Sequence, residues 1–229
     1  MRKPFNTLIV IVSAIVVACS PPQETSAPPG AELVIRNVTV IDVETGNPLP
    51  DRTVWIGDGM VLSVAENDGG ADAFEGRRID GRGQFLIPGL WDLHVHAMSD
   101  RDDAIGRILP LFVAHGVTGV RDMGAVMSGL VATRERLAED AALVHPEIVA
   151  GGPLLDGQAL PWYGDLPLVL TTPDEVASAL ADLAAAGVDF FKVYDGLSPE
   201  VYEVIVAEAA NLDRLVAGDR TIPEMVATI

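Results

Sequence analysis

From residue 87 onward, short β-like apolar runs alternate with segments that have the start signals and periodicity of helices. Such alternation is typical of βα units around a parallel sheet. The pattern holds four βα units and the start of a fifth, whereas a closed (β/α)₈ barrel needs eight units and typically ~250 residues. The predicted strands cover residues 91–96, 117–121, 147–150, 188–194 and 215–217, and the predicted helices cover 103–114, 128–140, 173–186 and 199–210.

Two of the predicted helices carry their own start signals. Thr172 stands three residues before Glu175 with Pro173 between them, which is a capping box with proline at the first helical position. Ser198 followed by Pro199 repeats the pattern. These signals strengthen the prediction that helices separate the later strands.

Residues 31–86 have a different sequence pattern. Short runs rich in β-branched residues, such as "LVIRNVTVIDV" and "TVWIGDGMVLSVA", are separated by turn signals such as "ETGNPLP" and by glycine-rich connectors. This pattern predicts an antiparallel β-sandwich module that precedes the βα units. The predicted fold class is therefore α/β, with a β-sandwich module at 31–86 and a partial barrel at 87–229.

The first 30 residues are predicted to lie apart from the fold. Residues 1–18 combine two basic residues with a short apolar run, as a secretory signal peptide does. The run ends in "VVACS", which resembles the lipobox of bacterial lipoproteins and makes Cys19 the candidate lipidation site. A plain signal peptide with an incidental cysteine is the alternative.

The segment 19–30, "CSPPQETSAPPG", is rich in Pro and Ser and is predicted to be a linker. With a lipid on Cys19, this linker would tether the protein to a membrane. Ser20 rather than Asp follows the cysteine, and by resemblance to lipoprotein sorting this predicts an exported protein of the cell envelope, held at the outer membrane and facing the periplasm.

The charge of the chain excludes one class of partner. Fifteen basic residues stand against 33 acidic ones, so the formal net charge is −18. Proteins that bind phosphate backbones need clustered Lys and Arg. We therefore expect no nucleic-acid partner.

Two of the four histidines lie on the first predicted strand of the βα region. His94 and His96 alternate along the strand, so both side chains point to the same face. The inward face at the C-terminal end of a barrel strand is where chemistry is placed, and neutral imidazole suits Zn²⁺. Two half-exposed histidines without a ligand are the alternative.

Three segments carry a resemblance to a known family: "FLIPGLWDLHVHA" at 85–97, "HGVTGVRDMG" at 115–124 and "FFKVYDGLS" at 190–198. They resemble the amidohydrolase superfamily of metal-dependent hydrolases, and most closely its prolidase-like and imidazolonepropionase-related branch. The resemblance implies a TIM-like (β/α)₈ barrel with a two-metal site. It also implies that a metal-activated water hydrolyses a carbon–nitrogen bond in a small amide, dipeptide or cyclic amide substrate.

The resemblance makes Lys192 a third metal ligand. In two-metal members of the family, the lysine of the fourth strand captures CO₂ and bridges the metals as a carbamate. The apolar neighbours Phe190, Phe191 and Val193 make a dry strand, which favours the neutral amine that captures CO₂. A structural lysine whose buried stem carries its head to solvent is the alternative. The other two histidines, His115 and His145, are predicted to be structural.

Four residues are candidates for the substrate pocket. Asp122 ends the second predicted strand, although a salt bridge at the barrel rim is the preferred interpretation of it. Trp162 and Tyr163 lie in the long segment 151–171, which forms either a substrate wall or an ordinary surface loop. Tyr194 ends the fourth strand.

The resemblance weakens at the C-terminal end of the chain. The family typically has Gly-His at the end of the fifth strand, where this sequence has Gly218-Asp219, so Asp219 is a possible metal ligand. The family's proton-transferring aspartate lies on a later strand, so the catalytic residue is unknown. We therefore expect weak metal binding, with no residues that orient the ligands, and no turnover by this chain alone.

A second function class stays open for a chain of this kind. The alternative is a membrane-tethered remnant or interaction module without catalytic activity. An unpaired edge strand of a partial barrel would favour self-association.

Overall fold

The computed structural model describes residues 26–98, 104–159 and 161–218. The chain divides between Ile87 and Pro88 into two compact units. The signal peptide, Cys19 and Asp219 that the sequence predicts lie outside the described residues. Within the described ranges, no helix has both the length and the apolar character needed to cross a bilayer.

The first unit contains one five-stranded sheet. Its strands are β1 (Leu33–Ile41), β2 (Pro48–Gly57), β3 (Met60–Glu66), β4 (Arg77–Asp80) and β5 (Phe85–Leu86). The order is β3-β2-β1-β4, and β5 also pairs with β1. Among residues 26–87 there is no second sheet, so the layer that would complete the predicted sandwich is not found there.

Part of this sheet is parallel, where the sequence predicted only antiparallel pairs. β1, β2 and β3 pair antiparallel, but β4 and β5 run parallel to β1. The connection after β3, which includes a 3₁₀ helix at Gly70–Ala73, carries the chain to the other edge of β1. Trp55 is fully buried beneath this sheet, and Phe74 packs edge to face on it at 5.1 Å.

The second unit has the alternating order of strands and helices that the sequence predicts. Its strands are β6 (Leu90–Val95), β7 (Val117–Asp122), β8 (Glu147–Ala150), β9 (Leu154–Asp156), β10 (Pro167–Val169), β11 (Phe190–Val193) and β12 (Leu215–Gly218). The helices are α1 (Leu109–Ala114), α2 (Met127–Glu139), α3 (Pro173–Ala185) and α4 (Pro199–Asn211). A π-helical turn at Ala104–Ile108 precedes α1.

The third barrel strand is split in two. β8 pairs in parallel with β7, whereas β9 pairs in parallel with β11. The chain changes neighbours between them: Gly151 N–H donates to Asp122 O at 3.0 Å, and Asp189 N–H donates to Ala150 O at 2.8 Å. With the β6–β7 and β11–β12 pairs, five successive parallel positions are formed, as in the first half of a (β/α)₈ barrel.

The segment 151–171 was predicted as a long loop, but it contains ordered structure. It holds β9, β10 and a 3₁₀ turn at Pro161–Tyr163. Gly151 and Gly152 hid this from the sequence pattern, because consecutive glycines indicate a turn. Gly152 does adopt a positive φ of 67°, but the chain resumes as a strand two residues later.

The helices pack on the outer face of the strands. A large core joins fully buried Leu180 and Ile205 of the helices to Phe191 of β11. A smaller core joins Leu109 to Val95 and Val120. Because residues alternate along a strand, burial of Phe191 on the helix side directs Phe190 and Lys192 to the opposite, inward face.

Both predicted helix starts are confirmed. Glu175 Oε2 accepts hydrogen bonds from the backbone N–H groups of Thr171 and Thr172, at 2.8 and 2.9 Å. Ser198 Oγ accepts one from Val201 N–H at 3.3 Å. These bonds satisfy backbone donors that have no partner within the helix.

Candidate metal centre

His94 of β6 and His96, which directly follows this strand, lie side by side at the C-terminal end of the first barrel strand. Their ring centroids are 5.5 Å apart and the rings are inclined at 61°. Both residues are exposed, and the buried Val95 lies between them in sequence. Two imidazoles at this separation can reach a common cation, because Zn–N distances are about 2.0–2.1 Å.

A backbone carbonyl fixes the orientation of one of these rings. His96 Nδ1 lies 3.0 Å from Gly124 O. A carbonyl oxygen can only accept, so Nδ1 carries the proton and Nε2 keeps its lone pair for a metal. Such bonds orient a ligating histidine and set its tautomer. This contact corrects the expectation that residues orienting the ligands are missing.

The lack of a side chain at Gly124 makes the same contact possible. A Cβ on Gly124 would lie 3.0 Å from the His96 ring and 3.1 Å from Leu154. The absence of a side chain therefore lets the carbonyl of Gly124 approach the ring. Leu154 in turn is the register partner of Lys192.

The backbone of β6 is irregular where it presents His94. The register with β7 shifts between Asp92 and Val95, and Asp92 Oδ1 accepts a hydrogen bond from His94 N–H at 3.1 Å. A bulge of this kind re-aims side chains and is common next to functional sites. Asp92 thus helps to set the position of His94.

Asp122 lies beneath the loops that follow β6 and β7. It is fully buried, and its carboxylate accepts hydrogen bonds from three backbone amides: Ala97 at 2.7 Å, Met98 at 2.9 Å and Gly124 at 3.1 Å. Burial raises the pKa of the Asp122 carboxyl above its usual value, against the lowering effect of these bonds. Asp122 therefore forms no rim salt bridge with any described residue, contrary to the preferred interpretation of the sequence. It fastens the loops on both sides of the His96–Gly124 contact.

Lys192 lies in the middle of β11 and is 1% exposed. Its ammonium nitrogen lies 5.8 Å from the centroid of the Tyr194 ring. Phe190 precedes it on the same face, and Arg121 packs over the Phe190 ring at 5.9 Å. The head of Lys192 therefore does not reach bulk solvent, unlike that of the structural lysine considered as the alternative.

The described residues supply few other metal donors. Among them, no group of three or more His, Cys, Asp or Glu side chains is placed to hold an ion. The donors that are present, the imidazoles of His94 and His96, suit a metal ion, and Lys192 of β11 is a further candidate ligand. His115 and His145 each place Nδ1 near a local backbone carbonyl, at 2.8 and 2.7 Å.

Three of the four predicted pocket residues meet in an aromatic cluster. The hydroxyl oxygens of Tyr163 and Tyr194 are 3.0 Å apart, and their rings are perpendicular at 5.9 Å. Trp162 packs against Tyr163 at 6.2 Å. All three residues line one cavity.

Sequence reasoning missed Asp156, which lies on the wall of the same cavity. It ends β9 and is fully buried. The available signal was an acidic residue followed by glycine after "PLL", but the surrounding segment resembled a loop and the strand was not recognised.

Comparisons with known proteins give relatives of one kind. No family model matches the chain. An adenine deaminase of Ruegeria pomeroyi is 24% identical over 208 residues, which is 85% of this chain and 32% of that protein. An N-acetylglucosamine-6-phosphate deacetylase of Lysinibacillus sphaericus is 33% identical over 72 residues, or 31% of this chain and 17% of that protein.

Solved structures agree in fold. A putative prolidase from Bifidobacterium longum superposes with a TM-score of 0.73 at 26% identity, covering 87% of this chain and 52% of that one. A Xaa-Pro dipeptidase with bound methionine gives 0.68 at 21% identity, with 81% and 56% covered. In sequence and in fold, the chain is similar to members of the amidohydrolase superfamily.

The chain matches only part of the length of these relatives. It spans about a third of the length of the Ruegeria adenine deaminase and about half of the Bifidobacterium prolidase structure. By their names, the relatives are hydrolases of carbon–nitrogen bonds in small molecules, such as adenine and dipeptides. The matched part of this chain includes both structural units.

Proposed function

We propose that the protein of this chain hydrolyses a carbon–nitrogen bond in a small amide, dipeptide or cyclic amide. The reaction uses one or two divalent metal ions, and zinc is the metal that we favour. The observation that supports this most directly is the His96–Gly124 hydrogen bond at 3.0 Å beside His94. It leaves Nε2 of His96 available at the barrel position where the family's chemistry is placed. The prolidase-like branch is the part of the superfamily that we favour.

Each residue of the centre has a separate task in this proposal. His94 and His96 hold the metal, and Gly124 O fixes the tautomer of His96. Asp122 keeps the two loops together through the backbone. A bound metal of this kind lowers the pKa of water and polarises a carbonyl.

Lys192 would bridge two metals as a carbamate. The neutral amine adds to CO₂ through its nitrogen lone pair and releases one proton, which leaves an anion with two donor oxygens. The burial of Lys192 on the inward face of β11 supports this role, because its side-chain nitrogen is held inside the barrel rather than in bulk solvent. Incubation with ¹³C-bicarbonate and zinc should give a carbamate signal that Lys192→Gln lacks.

Zinc binding to the full chain tests the proposal. His96→Ala and His94→Ala should each lower zinc affinity by at least about tenfold. His115→Ala is the matched control, because the His115 ring hydrogen-bonds to the Leu111 carbonyl of its own helix and is not part of the proposed centre. It should bind zinc like wild type. Equal zinc binding by wild type and both variants would refute the assignment. A panel of amides, dipeptides and lactams then tests turnover.

We also propose that the protein is exported and anchored through Cys19. The support is the "VVACS" sequence after a short apolar run, which lies outside the described residues. Cys19→Ser should release the protein from the membrane fraction; unchanged membrane association would contradict the anchor.

We further propose that the protein self-associates through the edge of β6, where Leu90, Trp91 and Leu93 are exposed. A monomer in light scattering would refute self-association.

A further inference from the structure

A cavity of about 220 Å³ lies at the C-terminal ends of β9 and β11. Its wall combines the aromatic cluster of Trp162, Tyr163 and Tyr194 with two carboxylates, Asp156 and Asp195. Among the described residues, no lysine or arginine lines it. The wall is thus electron-rich and acidic.

The two carboxylate oxygens of Asp156 differ in their hydrogen bonds. Oδ1 accepts hydrogen bonds from Gly157 N–H at 2.7 Å and Gly196 N–H at 2.8 Å. Oδ2 is buried and accepts no hydrogen bond from any described residue. A buried acceptor without a donor costs free energy, so a ligand that brings an N–H group to this oxygen would bind favourably.

The aromatic rings suit the same kind of ligand. The faces of Trp and Tyr rings carry negative potential and attract a cation placed over them. Trp162 is 75% exposed, which is unusual for so large an apolar ring. A ligand in the cavity would cover part of it.

The cavity borders the proposed metal centre. Tyr194 follows Lys192 by two residues and lies 5.8 Å from its ammonium nitrogen. A substrate whose scissile bond reached Lys192 would therefore place the adjoining group next to Tyr194. The charge and the aromatic character of the cavity wall then determine which substrate groups can bind there.

We infer that this cavity binds a cationic nitrogen group of the substrate, an ammonium or guanidinium, which donates to Asp156 Oδ2 and lies against the rings of Trp162 and Tyr194. As a statement about substrates, the inference rests on the proposed hydrolysis of carbon–nitrogen bonds. It narrows the substrate class to amides and peptides that carry a positive charge near the scissile bond.

The test measures binding rather than turnover, with benzylammonium as the probe and benzyl alcohol as its neutral counterpart. In metal-free full chain, calorimetry should show benzylammonium binding at least about tenfold tighter than benzyl alcohol. Asp156→Asn, which keeps an acceptor for Gly157 and Gly196, should abolish most of this preference. Trp162→Ala, an exposed position, should weaken benzylammonium binding without affecting the fold.

Asp140→Asn is the matched control, because Asp140 is exposed and outside the cavity; it should bind the probe like wild type. Equal binding of the two probes, or unchanged benzylammonium binding in both cavity variants, would overturn the inference. His96→Ala separates it from the proposed function: this variant should lose zinc but keep benzylammonium binding. Retained zinc binding in that variant contradicts only the metal assignment.

Discussion

Asp122→Asn tests whether one buried carboxylate holds the loops of the metal centre. The carboxylate accepts from three backbone amides, at 2.7, 2.9 and 3.1 Å. Asparagine keeps one acceptor oxygen, and its NH₂ group would face one of the three donors. At least one buried N–H then loses its partner, at about 1–3 kcal/mol. That is a large part of a domain stability of roughly 5–15 kcal/mol.

Urea unfolding of the full chain, followed by circular dichroism, measures this cost. Asp140→Asn is the control, because Asp140 is exposed and its carboxylate accepts from the Ala142 N–H, at 3.0 Å, an acceptor that asparagine keeps. It should change stability by less than about 0.5 kcal/mol. Zinc affinity of Asp122→Asn should fall by about tenfold, because Gly124 orients His96. A variant as stable as the control, with unchanged zinc affinity, would refute the reasoning.

Three further changes probe single contacts. Gly124→Ala should weaken zinc binding by about tenfold in a chelator competition, because the new Cβ would lie 3.0 Å from the His96 ring; an unchanged affinity would contradict the contact. Hydrogen bonds from the backbone of Thr172 and Thr171 lower the pKa of Glu175. The ionised form therefore stabilises α3 at neutral pH and this contribution is lost on acidification, so Glu175→Gln should flatten the acid limb of an unfolding titration. Ser198→Ala should cost about 0.5–2 kcal/mol in urea unfolding; a smaller loss would mean that the 3.3 Å cap is unimportant.

The sequence predicted those features that depend on local order. The spacing of His94 and His96 placed both rings together because alternate residues of a strand share a face, and the rings are indeed 5.5 Å apart. The helix starts at Thr172 and Ser198 were recognised because capping is a local interaction.

Features that depend on distant pairing were not predicted. Asp122 follows Arg121, which suggested a charged rim, but neighbouring strand residues face opposite sides. Arg121 Nε donates to Leu93 O at 2.8 Å on one side, while Asp122 reaches buried amides on the other. Two of its three amide donors belong to residues 24 and 25 positions away, and no local pattern could pair them with Asp122.

The split of the third barrel strand has a consequence for how the second unit opens. The hydrogen-bonded ladder of β6, β7 and β8 ends where that of β9, β11 and β12 begins. The side-chain core does not divide there, because Leu130 of α2 and Ala150 of β8 share a core with Leu180 of α3. Proteins open in cooperative groups bounded by such discontinuities. Amide hydrogen exchange should therefore distinguish the strands of the two ladders, with the amides of β6 and β7 exchanging at one opening free energy and those of β9 and β11 at another.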